Sequence, residues 1–461
     1  MKKEVQFNEA VSILVLMLIV LGISVIGLGL MPNIPVLAVI GVLMGWLRFR
    51  GFTWDDLMAG IKQGISTAII PIFIFMLIGT LIAVWIQAGV IPSLMVLGFN
   101  LINAAFFIPS VFVVCSLVGV AIGSGFTTIS TVGIALFGMG TTMGINPALT
   151  AGAIISGAVF GDKMSPLSDS TNLASAVAGS DLFAHIKNMM WTTIPAFVVS
   201  LVVFAVLGYS NQGVSLTKMA PTLHTLTTHF SVSWWSAVPV GLMLICAWKK
   251  IPAIPTLFMN IFVAILMIFA FDPHFTLAKL AQLAQSGYIA KTGNSTVDAL
   301  LTRGGITSMM GTVALIIMTL ALGGILMHTG IIENAMAPVA ARLQKPGRLV
   351  TATIFAGIGI NLFVGEQYLS VILPGNAFKH AFFRIKLDPL ALSRVLEDGG
   401  SVINYLIPWG VAGSFAAGAL GVPVTHFLPF ALFSLLSPIF SILSGLTGIG
   451  LKRAPAGEEK I

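Results

Sequence analysis

The sequence predicts an all-α polytopic membrane protein, built as an inverted-topology repeat with broken helices or re-entrant hairpins. Three observations predict this class. They are the scarcity of charged residues, the length of the apolar runs, and an internal repeat whose corresponding loops fall on opposite sides of the membrane. Only 8% of the 461 residues are charged and 57% are hydrophobic, whereas an ordinary soluble domain carries about 25% charged residues. A chain this poor in charge needs lipid as its solvent.

Apolar runs of membrane-spanning length recur along the chain. Residues 11–30, 68–86 and 306–327 are examples, and a helix needs roughly 20 such residues to cross the hydrocarbon core. Barrel strands would instead be about 10 residues long, with alternating apolar and polar side chains, and the sequence lacks that alternation. Since lipid admits only helices or closed barrels, we predict about 10–12 helical spans or half-spans.

The chain repeats itself with an almost constant offset. Gly123-Ser124 and Gly365-Glu366 lie 242 positions apart, and other glycine-containing segments recur at 241 or 242 positions. Lysine and arginine mark cytoplasmic loops. Following the chain from loop to loop on that rule, the stretch 54–63 is inside and its repeat partner 297–304 falls outside. Lys279, Lys291 and Arg303, in this long outside loop, depart from the rule. The two halves are therefore predicted to insert in opposite orientations, as in many secondary transporters.

These features predict how the chain is divided and where it resides. We expect a multi-pass protein of the bacterial inner membrane, surrounded by lipid, with both termini in the cytoplasm. The formal net charge of +7 reflects basic loops that orient the protein, so no nucleic-acid partner is expected. The predicted segments are a first repeat (1–210), an external linker (211–233), a second repeat (234–450) and a cytoplasmic tail (451–461).

A polar stretch at residues 161–172 interrupts the apolar sequence of the first half. It places Asp162, Lys163 and Asp169 at membrane depth, where a charge costs about 2.5–3.5 kcal/mol on insertion scales. Pro166 breaks the helix and frees carbonyl groups. Carboxylate, hydroxyl, amide and carbonyl oxygens are ligands that a hard cation prefers, so we predict sodium at Asp162 and Asp169. The predicted ion- and proton-binding residues here are Asp162, Ser165, Ser168, Asp169, Thr171 and Asn172.

Two alternatives stay open for these polar residues. The stretch 161–172 could be a surface loop in which Asp162 simply pairs with Lys163. Within the candidate site itself, we expect Asp162 or Asp169 to pair with Lys163. Glu397 and Asp398 follow a basic loop, so a surface position is open for them too.

A glycine-rich break at residues 123–131 and its counterpart in the second half complete the candidate site. Glu366 occupies the repeat position of Ser124, and we predict that it is a further proton-binding group. For the hydroxyl side chains, a helix-packing face of small residues is the alternative. The predicted substrate-binding residues are Ser124, Thr127, Thr128, Ser401 and Asn404.

The residues 161–174, GDKMSPLSDSTNLA, resemble the signature of the NhaC sodium/proton antiporter family, which includes sodium-lactate/malate-proton antiporters of the MleN type. The stretches TVGIAL, EQYLSVILPG and LEDGG are also similar to that family, and the resemblance covers about residues 10–450. It implies a homodimer in which a mobile transport domain with paired hairpins slides against a scaffold domain. It also implicates Asp162, Ser165, Asp169, Thr171, Asn172, Glu366, Ser401 and Asn404 in transport.

Two functions follow from these features. The first is exchange of sodium for protons by alternating access; the alternative is a sodium-coupled antiporter of small carboxylic acids such as malate or lactate. No membrane-buried arginine is expected to grip an acid, because Arg394 and its neighbours fall in predicted loops. There is no Walker loop and no His/Cys cluster. We therefore expect no enzyme activity and no cofactor besides the sodium ions and protons that are moved. A channel or structural subunit is disfavoured, because mirrored halves suit a carrier.

Overall fold

The regular structure of the protein is almost wholly helical. The computed structural model describes residues 5–101, 106–209, 220–249 and 251–453. Within these ranges β-structure is limited to two isolated bridges, Tyr288 with Arg303 and Leu387 with Arg453. Six described helices are long and apolar enough to cross a membrane, and the number rises to nine if three bent helix pairs each count as one span. The predicted class, an all-α polytopic membrane protein, is confirmed.

The first half contributes eleven α-helices to the described chain. They are α1 (Phe7–Gly22), α2 (Asn33–Phe49), α3 (Trp54–Ser66), α4 (Ile69–Gln87), α5 (Val90–Leu101), α6 (Phe107–Ile122), α7 (Gly125–Thr128), α8 (Ile134–Thr142), α9 (Pro147–Met164), α10 (Asp169–Ala178) and α11 (Leu182–Tyr209). A π-helical turn, Ile129–Gly133, joins α7 to α8.

The remaining α-helices follow in the same order. They are α12 (Ala220–His229), α13 (Ala237–Trp248), α14 (Ala253–Phe271), α15 (Leu277–Ser286), α16 (Ser295–Leu301), α17 (Ile306–His328), α18 (Ile331–Arg342), α19 (Pro346–Val364), α20 (Gln367–Arg384), α21 (Pro389–Leu396), α22 (Val411–Leu420), α23 (Val424–Phe427) and α24 (Leu432–Thr447). Two further π-helical turns are Ile23–Gly27, which follows α1, and Glu397–Ser401, which extends α21. The predicted linker 211–233 and tail 451–461 lie partly outside the described residues.

The internal repeat is visible in the helix boundaries. α9 begins at Pro147 after an Asn146 cap, and α21 begins at Pro389 after an Asp388 cap, 242 positions later. An Asn or Asp cap satisfies free N–H groups, and proline tolerates the first helical position, so both halves use the same start signal. α10 and α22 are each ten residues long, and their starts also lie 242 positions apart.

The packing of α3 on α17 places repeat-related helices at opposite ends of α17. Gly60 of α3 lies against Ile325 of α17, and Gly64 lies so close that an added Cβ would come 1.9 Å from the Leu320 carbonyl oxygen. Residue numbers rise along α3 as they fall along α17, so the two helices are antiparallel. α3 therefore starts near the C-terminal end of α17, whereas α16, its repeat partner, precedes the N-terminal end. This is the arrangement expected of two halves in opposite orientations.

The close packing of α6 and α9 positions the polar residues. Gly161 of α9 faces Gly119 of α6, where an added Cβ would come 2.5 Å from the Gly119 Cα. Small residues allow helix backbones to approach this closely in membranes. Asp162 follows Gly161, so the end of α9 is held against the end of α6.

Candidate functional site

The two polar breaks of the first half touch each other. α6 ends at Gly123, whose φ of 73° is left-handed and suits glycine. Ser124 then caps α7, and its Oγ accepts a hydrogen bond from the Thr127 N–H at 3.3 Å. An added Cβ on Gly123 would lie 2.7 Å from Leu167 and 3.0 Å from the Ser165 Oγ. The break after α6 is therefore packed directly on the break after α9.

The second half repeats this geometry with a carboxylate in place of the hydroxyl. α19 ends at Gly365, with a φ of 71°. Glu366 caps α20, and its Oε2 accepts a hydrogen bond from the Leu369 N–H at 2.9 Å. The Val411 N–H donates to the Gly365 carbonyl oxygen at 2.7 Å, so the break after α19 contacts the start of α22. Glu366 is 6% exposed and is no surface residue.

Asn404 ties the second-half breaks together. Its Nδ2 donates to the Asn361 Oδ1 at 2.6 Å, and its Oδ1 accepts from the Ala412 N–H at 2.9 Å. The Asn361 Nδ2 in turn donates to the Gly400 carbonyl oxygen at 2.6 Å. Asn404 thereby holds α19, the Glu397–Ser401 turn and α22 in register.

The breaks of both halves line one cavity of about 980 Å³. Ser124 and Asp162 line it from the first half, and their repeat partners Glu366 and Asn404 line it from the second. Each half thus supplies one carboxylate and one neutral group at related positions. The other predicted residues in the lining are Thr127, Asp169 and Asn172.

The cavity lining is acidic. It contains the carboxylates Asp162, Asp169 and Glu366, and among the described residues no lysine, arginine or histidine lines it. In the described chain no three His, Cys, Asp or Glu side chains converge closely enough to hold a metal ion. A cation here would therefore take one or two carboxylates together with hydroxyl and carbonyl oxygens.

Five predicted residues lie outside the lining and hydrogen-bond within the breaks or behind them. The Thr171 hydroxyl donates to the Lys163 carbonyl oxygen at 3.0 Å, and the Thr128 hydroxyl donates to that of Ser124 at 2.9 Å. The other contacts are Ser165 Oγ with the Leu167 N–H, Ser168 Oγ with Ser170 Oγ, and the Ser401 hydroxyl with the Glu397 carbonyl oxygen.

Asp162 is approached by three groups. The Gly125 N–H and the Ser168 hydroxyl are its hydrogen-bonding neighbours. A Cβ added to Gly125 would meet the Tyr405 hydroxyl at 2.6 Å and the Asp162 Oδ2 at 3.6 Å, so that hydroxyl lies beside the carboxylate. The Tyr405 hydroxyl is buried with no hydrogen-bond partner among the described residues. Tyr405 occupies the repeat position of Lys163, a signal from which the sequence could have identified it.

Other lining residues were also missed as site residues. Ser170, Gln367 and Tyr368 all contribute to the cavity wall. Ser170 follows Asp169, and Gln367 and Tyr368 follow Glu366. Their positions in the sequence did not show which side chains turn toward the cavity.

The expected pairing of Lys163 with Asp162 or Asp169 is wrong. Lys163 forms a salt bridge with Asp398, and both side chains are buried, at 1% and 0% exposure. The Lys163 Nζ also donates to the Ser437 Oγ at 2.9 Å. Lys163 therefore turns away from the cavity, because α9 presents consecutive residues to different sides. The surface alternatives for Glu397 and Asp398 are also wrong, since both are 0% exposed.

Arg394 was expected in a cytoplasmic loop, and it is instead fully buried. Its guanidinium donates to the Gly450 carbonyl oxygen and to the Ser444 Oγ, each at 2.8 Å. These contacts hold α21 to the end of α24. Arg394 does not line the cavity.

A helical membrane protein with broken helices meeting at a shared polar cavity is a polytopic membrane transporter. A sequence model of the Na+/H+ antiporter family matches residues 5–171 and 157–449, and the chain belongs to this family.

Individual relatives cover nearly the whole chain. It is 37% identical over 451 residues to the Na+/H+ antiporter NhaC of Alkalihalophilus pseudofirmus, covering 98% of each chain. It is 36% identical to the arginine/ornithine antiporter ArcD of Halobacterium salinarum, covering 97% of this chain and 93% of the relative. It is 33% identical to the malate-2H+/Na+-lactate antiporter of Bacillus subtilis, covering 86% and 85%.

Proposed function

We propose that this protein exchanges sodium ions for protons across the bacterial cell membrane by alternating access. The observation that carries the proposal is the shared cavity, where Asp162 and Glu366 from repeat-related breaks meet in a lining without basic side chains among the described residues. Its relative from Alkalihalophilus pseudofirmus is named for the same exchange.

The exchange follows from competition at the carboxylates. Buried carboxylates without a cationic partner are costly to keep ionised, so they hold either protons or a cation. Asp162 is the principal site, with Asp169 and Asn172 on the neighbouring α10, and Glu366 is a second proton-binding group. Movement of a transport domain against a scaffold domain, as the resemblance implies, would expose the same carboxylates to each side in turn. No cofactor is needed besides sodium and protons.

Small organic acids are the alternative cargo. The N-terminal end of α20 reaches the cavity at Glu366 and Gln367, and a helix N-terminus favours anions. The acidic lining opposes this, because it would repel a carboxylate. The acidic lining would accept a basic amino acid, and the relative from Halobacterium salinarum is named as an arginine/ornithine antiporter. Organic acids and basic amino acids therefore both belong in the test.

Proteoliposomes carrying the purified protein test the proposed exchange. A sodium gradient should drive proton movement, read with an enclosed pH-sensitive dye, when no organic solute is present. Parallel vesicles receive malate, lactate, arginine or ornithine, and potassium replaces sodium as the control. Strict dependence on an added acid would replace sodium/proton exchange with the alternative function, and strict dependence on arginine or ornithine would assign an amino-acid cargo.

The topology is proposed to be inverted between the halves, with both termini cytoplasmic. Asp55 near the start of α3 and Thr296 near the start of α16 are repeat-related positions, 241 residues apart, and both are exposed. After replacement of the buried Cys115 and Cys246, Asp55→Cys should react with an impermeant thiol reagent from the cytoplasmic side. Thr296→Cys should react from outside. Labelling of both from one side contradicts the inversion.

We propose that the outer surface of the protein contacts lipid. Large apolar side chains such as Val42 on α2 and Phe262 on α14 are 73% and 61% exposed, which suits contact with lipid. The homodimer implied by the resemblance stays a prediction.

A further inference from the structure

A second group of ionisable side chains lies behind the cavity, where α9, α11, the Glu397–Ser401 turn and α24 meet. We call Lys163, His185, Glu397 and Asp398 the inner cluster. All four are at most 1% exposed, and none of them lines the cavity.

Lys163 and Asp398 satisfy each other within the inner cluster. The Asp398 Oδ1 accepts hydrogen bonds from Lys163 and from the Ser437 hydroxyl, the latter at 2.6 Å. The Thr192 hydroxyl lies 3.0 Å from the Asp398 Oδ2. One positive and one negative charge therefore cancel, and Lys163 is engaged with Asp398 and Ser437.

Glu397 is different, because neither of its carboxyl oxygens accepts a hydrogen bond from the described residues. An ionised carboxylate in such a place is costly, whereas a protonated one is tolerated. Glu397 also opens a π-helical turn, a distortion frequent at functional sites.

The Ser170 hydroxyl connects Glu397 to the cavity. Ser170 lines the cavity wall, and its hydroxyl faces the Glu397 carboxyl group. The Ser170 Oγ lies 3.1 Å from the Ser168 Oγ, and Ser168 is the hydrogen-bonding neighbour of Asp162. Each hydroxyl can accept one proton while giving up another.

We propose that Glu397 is a further proton-binding site, which exchanges its proton with the cavity through the Ser170 hydroxyl. This inference rests on the proposed sodium/proton exchange and adds a proton site outside the cavity wall. When Glu397 ionises, its proton passes to the Ser170 hydroxyl oxygen, and Ser170 gives up its own hydroxyl proton to water in the cavity that it lines.

The charges around Glu397 couple its proton to sodium. The groups set against it are Lys163 and Asp162 from α9, and Asp398 from its own turn; His185 of α11 and Arg394 of α21 act on Asp398. Ionised Glu397 would attract a cation held at Asp162. By reciprocity, sodium in the cavity favours loss of the Glu397 proton, which is the direction that antiport requires.

The decisive measurement is sodium affinity against pH for the purified protein and for Glu397→Gln. The glutamine mimics protonated glutamate permanently. At high pH the variant should bind sodium about tenfold more weakly, about 1.4 kcal/mol, because the negative charge that attracts the cation is lost. At low pH the two proteins should bind sodium equally. Equal affinities at every pH, or an equal loss at every pH, would overturn the proposal.

Ser170→Ala tests the path while keeping both carboxylates. Proton release after rapid mixing with saturating sodium should slow by about tenfold, since a positioned transfer group is lost. Ser175→Ala, another buried serine on α10, is the matched control and should release protons at the native rate. Native rates in Ser170→Ala would remove the path.

Infrared titration gives a readout that does not depend on sodium. The signal of a protonated, buried carboxyl group should be present in the native protein and weaker in Glu397→Gln. Retention of the full signal in the variant counts against Glu397. If the native protein binds no sodium, the proposed exchange fails, whereas this titration still decides whether Glu397 holds a proton.

Discussion

Replacing Asp162 with Asn is expected to abolish sodium-driven proton movement in proteoliposomes. Asn has nearly the same shape but carries no negative charge and does not bind or release a proton near neutral pH. Losing a charged partner of a bound ion costs about 3 kcal/mol, so sodium affinity should fall by at least about a hundredfold. Dye-reported proton flux and binding of radioactive sodium measure the two effects.

The matched control for this variant is Asp181→Asn. Asp181 is exposed and accepts a hydrogen bond from the Ala184 N–H, a capping role that Asn fills equally well. This control should transport normally. Native flux in an Asp162→Asn protein that inserts and remains monodisperse would rule Asp162 out as the exchange site.

Replacing Lys163 with Ala is expected to give the largest loss of stability. The change leaves Asp398 buried at 0% exposure without its cationic partner, and breaking a buried ion pair costs about 3–5 kcal/mol. Denaturation in detergent micelles, followed by tryptophan fluorescence, would report the lower free energy of unfolding. The double variant Lys163→Ala/Asp398→Ala should recover part of it, because the uncompensated charge is gone.

Lys452 supplies the comparison for Lys163. Its Nζ lies 3.9 Å from the Asp388 Oδ2, and its side chain is 58% exposed. Exposed pairs contribute about 1 kcal/mol or less, so Lys452→Ala should unfold nearly as the native protein does. If Lys163→Ala behaves in the same way, the buried pair does not stabilise the fold.

The repeat allowed much of the site to be predicted. Ser124 and Glu366 were paired by their offset of 242 positions, and both cap the helix that follows a left-handed glycine. This succeeded because helix caps and left-handed glycines are local features, determined by a few consecutive residues. The same offset relates Asp162 to Asn404, and all four residues line one cavity.

The roles of adjacent residues were less predictable. Asp162 faces the cavity, whereas Lys163 faces Asp398, which lies 235 positions away along the chain. The expectation for Lys163 failed because an opposite charge nearby in the sequence is not the nearest one in space. The predicted loop position of Arg394 was wrong for a similar reason, since α24 covers a segment whose sequence resembles a polar loop.

The sequence by itself determined the class of the protein, its repeat and the polar breaks within its helices. These features depend on composition or on a few consecutive residues: the scarcity of charged residues, the length of the apolar runs, and the glycines, prolines and caps at the breaks. They can therefore be recognised from the sequence. Only the tertiary structure decided which side chains reach the cavity. It also placed Glu397 and the Lys163–Asp398 pair behind the cavity. Those outcomes depend on how α9, α11 and α24 pack around the Glu397–Ser401 turn, and helix packing joins residues that the sequence separates.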